Sequence, residues 1–130
     1  MQFLINLHIA MFFFLLGAGT ICALWGFGLL IFRRQSTTVS SIYRSALRVT
    51  AAMALIQAII GATLYLTGAR ADDQLHYVYG IVVLILIPLA LIYRSGKPEH
   101  VRRDVLFLAC AALLVAAAAV RAAMTGGFQF

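Results

Sequence analysis

The sequence predicts an all-α integral membrane protein, a four-helix up-down-up-down bundle with both termini outside. The hydrophobic fraction is 64% and charged residues make up only 11%, where soluble domains carry about 25% charged residues. Four apolar runs fall at about 3–32, 46–69, 75–93 and 102–125, each near the roughly 20 residues that a helix needs to cross a bilayer core. The connectors are short and polar, which favours sequential antiparallel neighbours. Together the spans use nearly all of the 130 residues, so the chain reads as a single domain, 1–130, with any chemistry inside the bundle or at its rims.

The first span lacks a basic leading segment and a small-residue cleavage site, and is read as a retained helix rather than a removed signal. Its Gly17, Gly19, Gly26 and Gly28 suit close helix approach. The series His8, Phe12, Leu15, Gly19, Cys22, Gly26 keeps helical periodicity, so His8 is expected to face inward. The second span carries Gly61, Gly68 and, midway, Gln57, which is expected to hydrogen-bond between helices. In the tight connector at 70–74, Asp72 or Asp73 is expected to cap the third span, with Tyr77 and Tyr79 at the membrane interface.

Pro88 is expected to bend the third span. The fourth span is built on ACAALLVAAAAVRAA, and its alanine face is expected to pack against neighbouring helices or another subunit. Cys22 and Cys110 have neither C-x-x-C spacing nor partnering histidines, so they read as small buried residues; a disulfide between them requires the first helix to lie against the fourth.

Arg33, Arg34, Arg44 and Arg48 surround the first connector, and Arg94, Lys97, Arg102 and Arg103 the third. The positive-inside rule then places both termini outside, and a bacterial inner membrane is the expected location. The net charge of +6 follows from these two connectors and implies topology and lipid headgroups rather than nucleic acid.

His8 near the start of the first span and His76 near the start of the third fall at one height, on helices running in the same direction. In a sequentially packed bundle these helices are diagonal partners, and two imidazoles facing each other across the diagonal suit axial ligation of a haem iron. The predicted metal ligands are therefore His8 and His76, and the predicted cofactor is haem b. Gly80, one turn below His76, leaves room for a macrocycle. Arg70 and Arg121 lie toward the outer rim, against the charge trend, where guanidinium groups suit carboxylates such as propionates. His100, in GKPEHVRRD, belongs to the opposite rim.

The string QAIIGATLYLTGARADDQLHYVYGIVVL, residues 57–84, resembles a segment of haem A synthase in which a Q-x-x-x-G helix ends in a Thr-Gly turn and a histidine opens the next helix. Gln57, Gly61, Gly68 and His76 match, and His8 in INLHIAMFFFLLG stands where that family's first histidine would be. The resemblance implies a four-helix bundle with haem-ligating histidines near the outer ends of two parallel helices. Ile9 follows His8 where the family has arginine, and no carboxylate stands one turn before it. The resemblance therefore carries haem binding to His8 and His76, and not the oxidation of a haem methyl group.

Two functions fit. The first is a haem-bearing electron-transfer protein, or such a subunit of a respiratory or photosynthetic complex, exchanging electrons with a quinone or an outer electron carrier. The second is a cofactor-free accessory subunit packed through its alanine and glycine faces against other membrane subunits or a second copy. Both take the lipid bilayer as a partner, and neither makes the chain a stand-alone enzyme.

Overall fold

The computed structural model describes residues 1–32 and 38–127. Among these residues there are four α-helices, α1 (Gln2–Phe32), α2 (Ser41–Leu66), α3 (Leu75–Tyr93) and α4 (Val101–Thr125), with one 3₁₀ turn at Pro98–His100 leading into α4. All four are long and apolar enough to cross a membrane, and no strand occurs among the described residues. Arg33 and Arg34 lie outside the described residues.

α2 starts at Ser41, earlier than the apolar run suggests, because burial rather than hydropathy decides its first turns. Tyr43 and Leu47, one helical turn apart, are fully buried, and the Arg44 N–H donates to the Ser40 carbonyl at 3.1 Å. The far end closes at the Thr-Gly turn. Gly68 N–H donates to Tyr65 O at 3.2 Å and Ala69 N–H to Leu64 O at 3.0 Å, with Gly68 in the left-handed region at φ 97°. This is the paired bond pattern of a Schellman ending, for which glycine carries no Cβ penalty. α3 then starts on Asp73, whose Oδ1 accepts the Leu75 N–H at 2.9 Å.

Each helix packs antiparallel on its sequence neighbour, and α4 closes the ring against α1, leaving α1 and α3 as diagonal partners. The tightest seam is α1 on α4. A Cβ on Gly19 would lie 3.3 Å from the Ala112 carbonyl oxygen, and a Cβ on Gly26 would collide with Ala109 and the Tyr43 hydroxyl. The alanine stripe of α4 is thus consumed largely inside the chain, where Ala109, Ala112 and Ala119 are buried. Gly17 and Gly28 face open space. The predicted inward face of α1 is buried at Phe12, Leu15, Gly19, Cys22 and Gly26. Cys22 and Cys110 are free thiols, and Cys22 Sγ lies 3.6 Å from Thr50 Oγ1 on α2. Pro88 sits inside an otherwise continuous α3.

At the end away from the termini, the α3–α4 connection is tied by a carboxylate. Asp104, in the first turn of α4, is fully buried; its two oxygens accept the Ser95 N–H at 3.1 Å and the Gly96 N–H at 2.9 Å. Gly96 at φ 71° supplies the left-handed turn. At the other end α1 and α4 are each tied to the α2–α3 connection: Thr67 Oγ1 reaches Met1 Sδ at 3.7 Å, and Asp73 N–H donates to Thr125 O at 3.0 Å.

Candidate functional site

At the terminal end a cleft of about 1760 Å³ opens between the helices, with wall residues from all four. His8 and His76 both line it. Their ring centroids lie 6.1 Å apart with planes inclined at 52°, so the diagonal pair expected from helix direction and span depth is brought together. Below them the walls turn apolar, down to Leu15, Ala54, Val83 and Ala119. Leu15 and Val83 follow the two histidines by seven residues, which at 1.5 Å per residue puts this floor about 10 Å deeper.

Each imidazole has its own seat, and the two seats share a plan. The seat of His8 is on α2: Gln57 Nε2 donates to the His8 carbonyl at 3.1 Å and lies 3.4 Å from His8 Nε2. One turn on, Gly61 passes under the ring, where a Cβ would approach Cε1 to 3.1 Å. The seat of His76 is on α4: Nδ1 lies 2.7 Å from the Ala122 carbonyl oxygen. One turn on, a Cβ at Gly126 would meet Nδ1 at 2.9 Å. The Q-x-x-x-G spacing thus has a physical meaning, an anchor and a clearance at i and i+4, which lie on one helix face.

These contacts set the nitrogen chemistry. A carbonyl only accepts, so His76 Nδ1 carries the proton and the neutral ring has its lone pair on Nε2. That atom has no hydrogen-bond partner among the described residues. On the facing side, the buried His8 Nδ1 and Gln57 Oε1 are likewise unpartnered among the described residues. Unsatisfied buried polar atoms on two touching side chains are uncommon in proteins, and His8 and Gln57, which carry them, both line the cleft.

Gly80 and Arg70 also line the cleft. A Cβ on Gly80 would meet nothing within 4 Å, leaving free space one turn below His76. Arg70 stands at the mouth, its guanidinium carbon 4.0 Å over the Tyr65 ring, while Nη1 donates to the carbonyls of Tyr65 and Ala69. Arg121 is not brought to the cleft; its guanidinium lies 5.8 Å over Tyr79. Tyr77 packs edge-on against both His76 and Tyr65, and its hydroxyl accepts the Ala71 N–H at 3.2 Å, so it fastens the α2–α3 connector as well as marking the interface. His100 lies at the opposite end of the bundle, in the turn before α4.

Sequence reasoning missed Ala122 and Gly126, since a backbone carbonyl acting as acceptor leaves no mark in residue type. It also missed Asp104 as a buried clamp, although a lone acid at the head of an apolar helix was the available signal. Comparison with known proteins gives no match to a family model, a curated protein or a solved structure.

The donor set fits a haem iron. An imidazole–metal bond is about 2 Å, and two such bonds plus the ring radii account for a separation of the size observed between His8 and His76. Nε2 of His76 is free to ligate. On the other side, Nε2 of His8 has only the long contact to the Gln57 amide, which ligation would displace. The apolar floor, the free space at Gly80 and the guanidinium at the mouth match a flat macrocycle with acid groups on one edge.

Proposed function

We propose that the protein holds one haem b between His8 and His76 and serves as a membrane electron-transfer protein or as the haem-bearing subunit of a larger redox complex. The observation that carries this reading is the pair itself: two histidines from diagonal helices, 6.1 Å apart between ring centroids, at the head of one cleft. His8 and His76 would hold the haem, which would supply a one-electron couple; with both imidazoles engaged, the chemistry it would supply is electron transfer rather than oxygen activation.

The chain's own residues supply position and electrostatics. The Ala122 carbonyl holds His76 in the tautomer whose Nε2 would ligate, an orienting role usual for a partner on the second ring nitrogen. Gln57 anchors the backbone of His8. Apolar side chains below the pair exclude water and lower the local dielectric, which tunes a redox potential. Arg70 provides a positive charge for propionates. By the positive-inside rule this end faces outside, so the exchange partner is an outer carrier or a quinone in the adjoining leaflet.

The test is stoichiometry. Protein produced in haem-replete cells and purified in mild detergent should carry one haem b per chain by the pyridine haemochrome assay. A colourless protein, recovered from its native membrane with any associated subunits, would overturn the reading.

A further inference from the structure

The wall between α2 and α3 differs from the other three. These helices pack the most sparsely of the four neighbouring pairs, although both line the cleft. Ala62 on α2 and Ile81 on α3 both line the cleft and are both exposed, and we take them as the two lips of a sideways opening in this sparse wall. Leu66 and Val78, also exposed and apolar, extend the lips toward the rim. An opening bordered by apolar residues at this depth faces lipid, not water.

The water-facing end is strapped. The connector at 69–74 lines the cleft and is fastened across it to α4 by the Asp73–Thr125 backbone bond. It is fastened to α3 by the bond from Ala71 N–H to the Tyr77 hydroxyl, and Asp72 packs against Gly127 beyond the end of α4. Arg70, the one Lys or Arg that lines the cleft among the described residues, stands at the start of this strap and is held by the Tyr65 face.

We infer that the cleft is loaded from the bilayer through the α2–α3 gap, taking a flat apolar macrocycle edge-on with its apolar edge leading and its carboxylates left at Arg70. The inference rests on the haem reading and adds the source and the route of the ligand. An amphipathic acid dissolved in one leaflet reaches this opening without crossing the strap, with its carboxylates at headgroup height. Delivery from water would need the strap to release Asp73 and Tyr77.

The experiment measures uptake of hemin by haem-free protein in lipid nanodiscs, supplied from hemin-loaded vesicles, by the rise of the Soret band. Ala62→Trp and Ile81→Trp put bulk on the lips, Ala71→Trp puts bulk in the strap, and Leu89→Trp is an exposed apolar control on α3 outside the cleft. The expected result is uptake slowed at least tenfold by either lip variant and less by Ala71→Trp, with Leu89→Trp matching the parent. Equal rates in lip variants and parent, or slowing by Ala71→Trp alone, would overturn bilayer loading while leaving the haem reading intact. A parent that takes up no hemin and carries none from cells overturns both.

Discussion

His76 Nδ1 lies 2.7 Å from the carbonyl oxygen of Ala122, a residue on the neighbouring helix at the last turn before Gly126. The bond fixes a tautomer, and the glycine that follows gives the ring room to make it. Gly126→Ala should therefore act on the site rather than on the helix, since the backbone there is already helical (φ −83°). The added Cβ would stand 2.9 Å from Nδ1. Losing one such hydrogen bond costs about 1 kcal/mol, or about fivefold in haem retention, measured as haem transfer to a competing apoprotein. Retention equal to the parent's would show that Gly126 is not part of the seat.

Gly61 and Gly80 should behave oppositely. A Cβ at Gly61 meets His8 at 3.1 Å, whereas at Gly80 it meets nothing within 4 Å. Gly80→Ala is expected to raise stability by up to about 1 kcal/mol through helix propensity and to keep haem. Gly80→Phe should keep the fold and lose haem, by filling the free space. Gly61→Val should lose haem by displacing His8. Helicity by circular dichroism and the Soret band read the two effects separately, and a Gly80→Phe protein with full haem content would refute the assignment of that space.

Asp104 should matter for the fold and not for the site. Asp104→Ala strips the Ser95 and Gly96 amides of their buried acceptor, and each unsatisfied group costs about 1–3 kcal/mol. A loss of about 2–4 kcal/mol is expected in reversible SDS unfolding, with Asp104→Asn less severe because one acceptor oxygen remains. The haem spectrum of the folded fraction should stay that of the parent, because Asp104 lies at the opposite end of the bundle. An Asp104→Ala protein as stable as the parent would remove the clamp.

The Tyr43 hydroxyl is buried with no hydrogen-bond partner among the described residues, and Gly26 leaves the space it occupies. Removing an unpaired buried polar group is neutral or stabilising, so Tyr43→Phe should hold or raise stability. Gly26→Ala should cost about 1–3 kcal/mol as overpacking, relieved in part by Tyr43→Leu in the double variant. Additive effects in that cycle would show that the two residues do not share the space.

Depth was legible in the sequence and azimuth was not. The common height of His8 and His76 follows from their distance to the ends of parallel spans, and apolar length sets those ends. Arg121 was placed near the site by depth alone. Its neighbour Ala122 lines the cleft, but successive helix residues turn by about 100°, which carries the guanidinium away to Tyr79. Only the packing of α3 on α4 decides which of the two residues faces the cleft. The start of α2 was hidden for a related reason, since Tyr43 and Arg44 look polar to a hydropathy window while Tyr43 is wholly buried. Gln57 and Gly61 were visible as a spacing, yet their role depends on His8, which lies 49 residues from Gln57 in the chain.

The most direct measurement is the dithionite-reduced minus oxidised spectrum of the purified protein beside His8→Ala and His76→Ala. The account predicts a low-spin b-type spectrum in the parent, lost or converted to high spin in both variants, because each removes one of the two proposed ligands. A low-spin spectrum that survives either substitution unchanged would contradict the paired ligation on which the account rests.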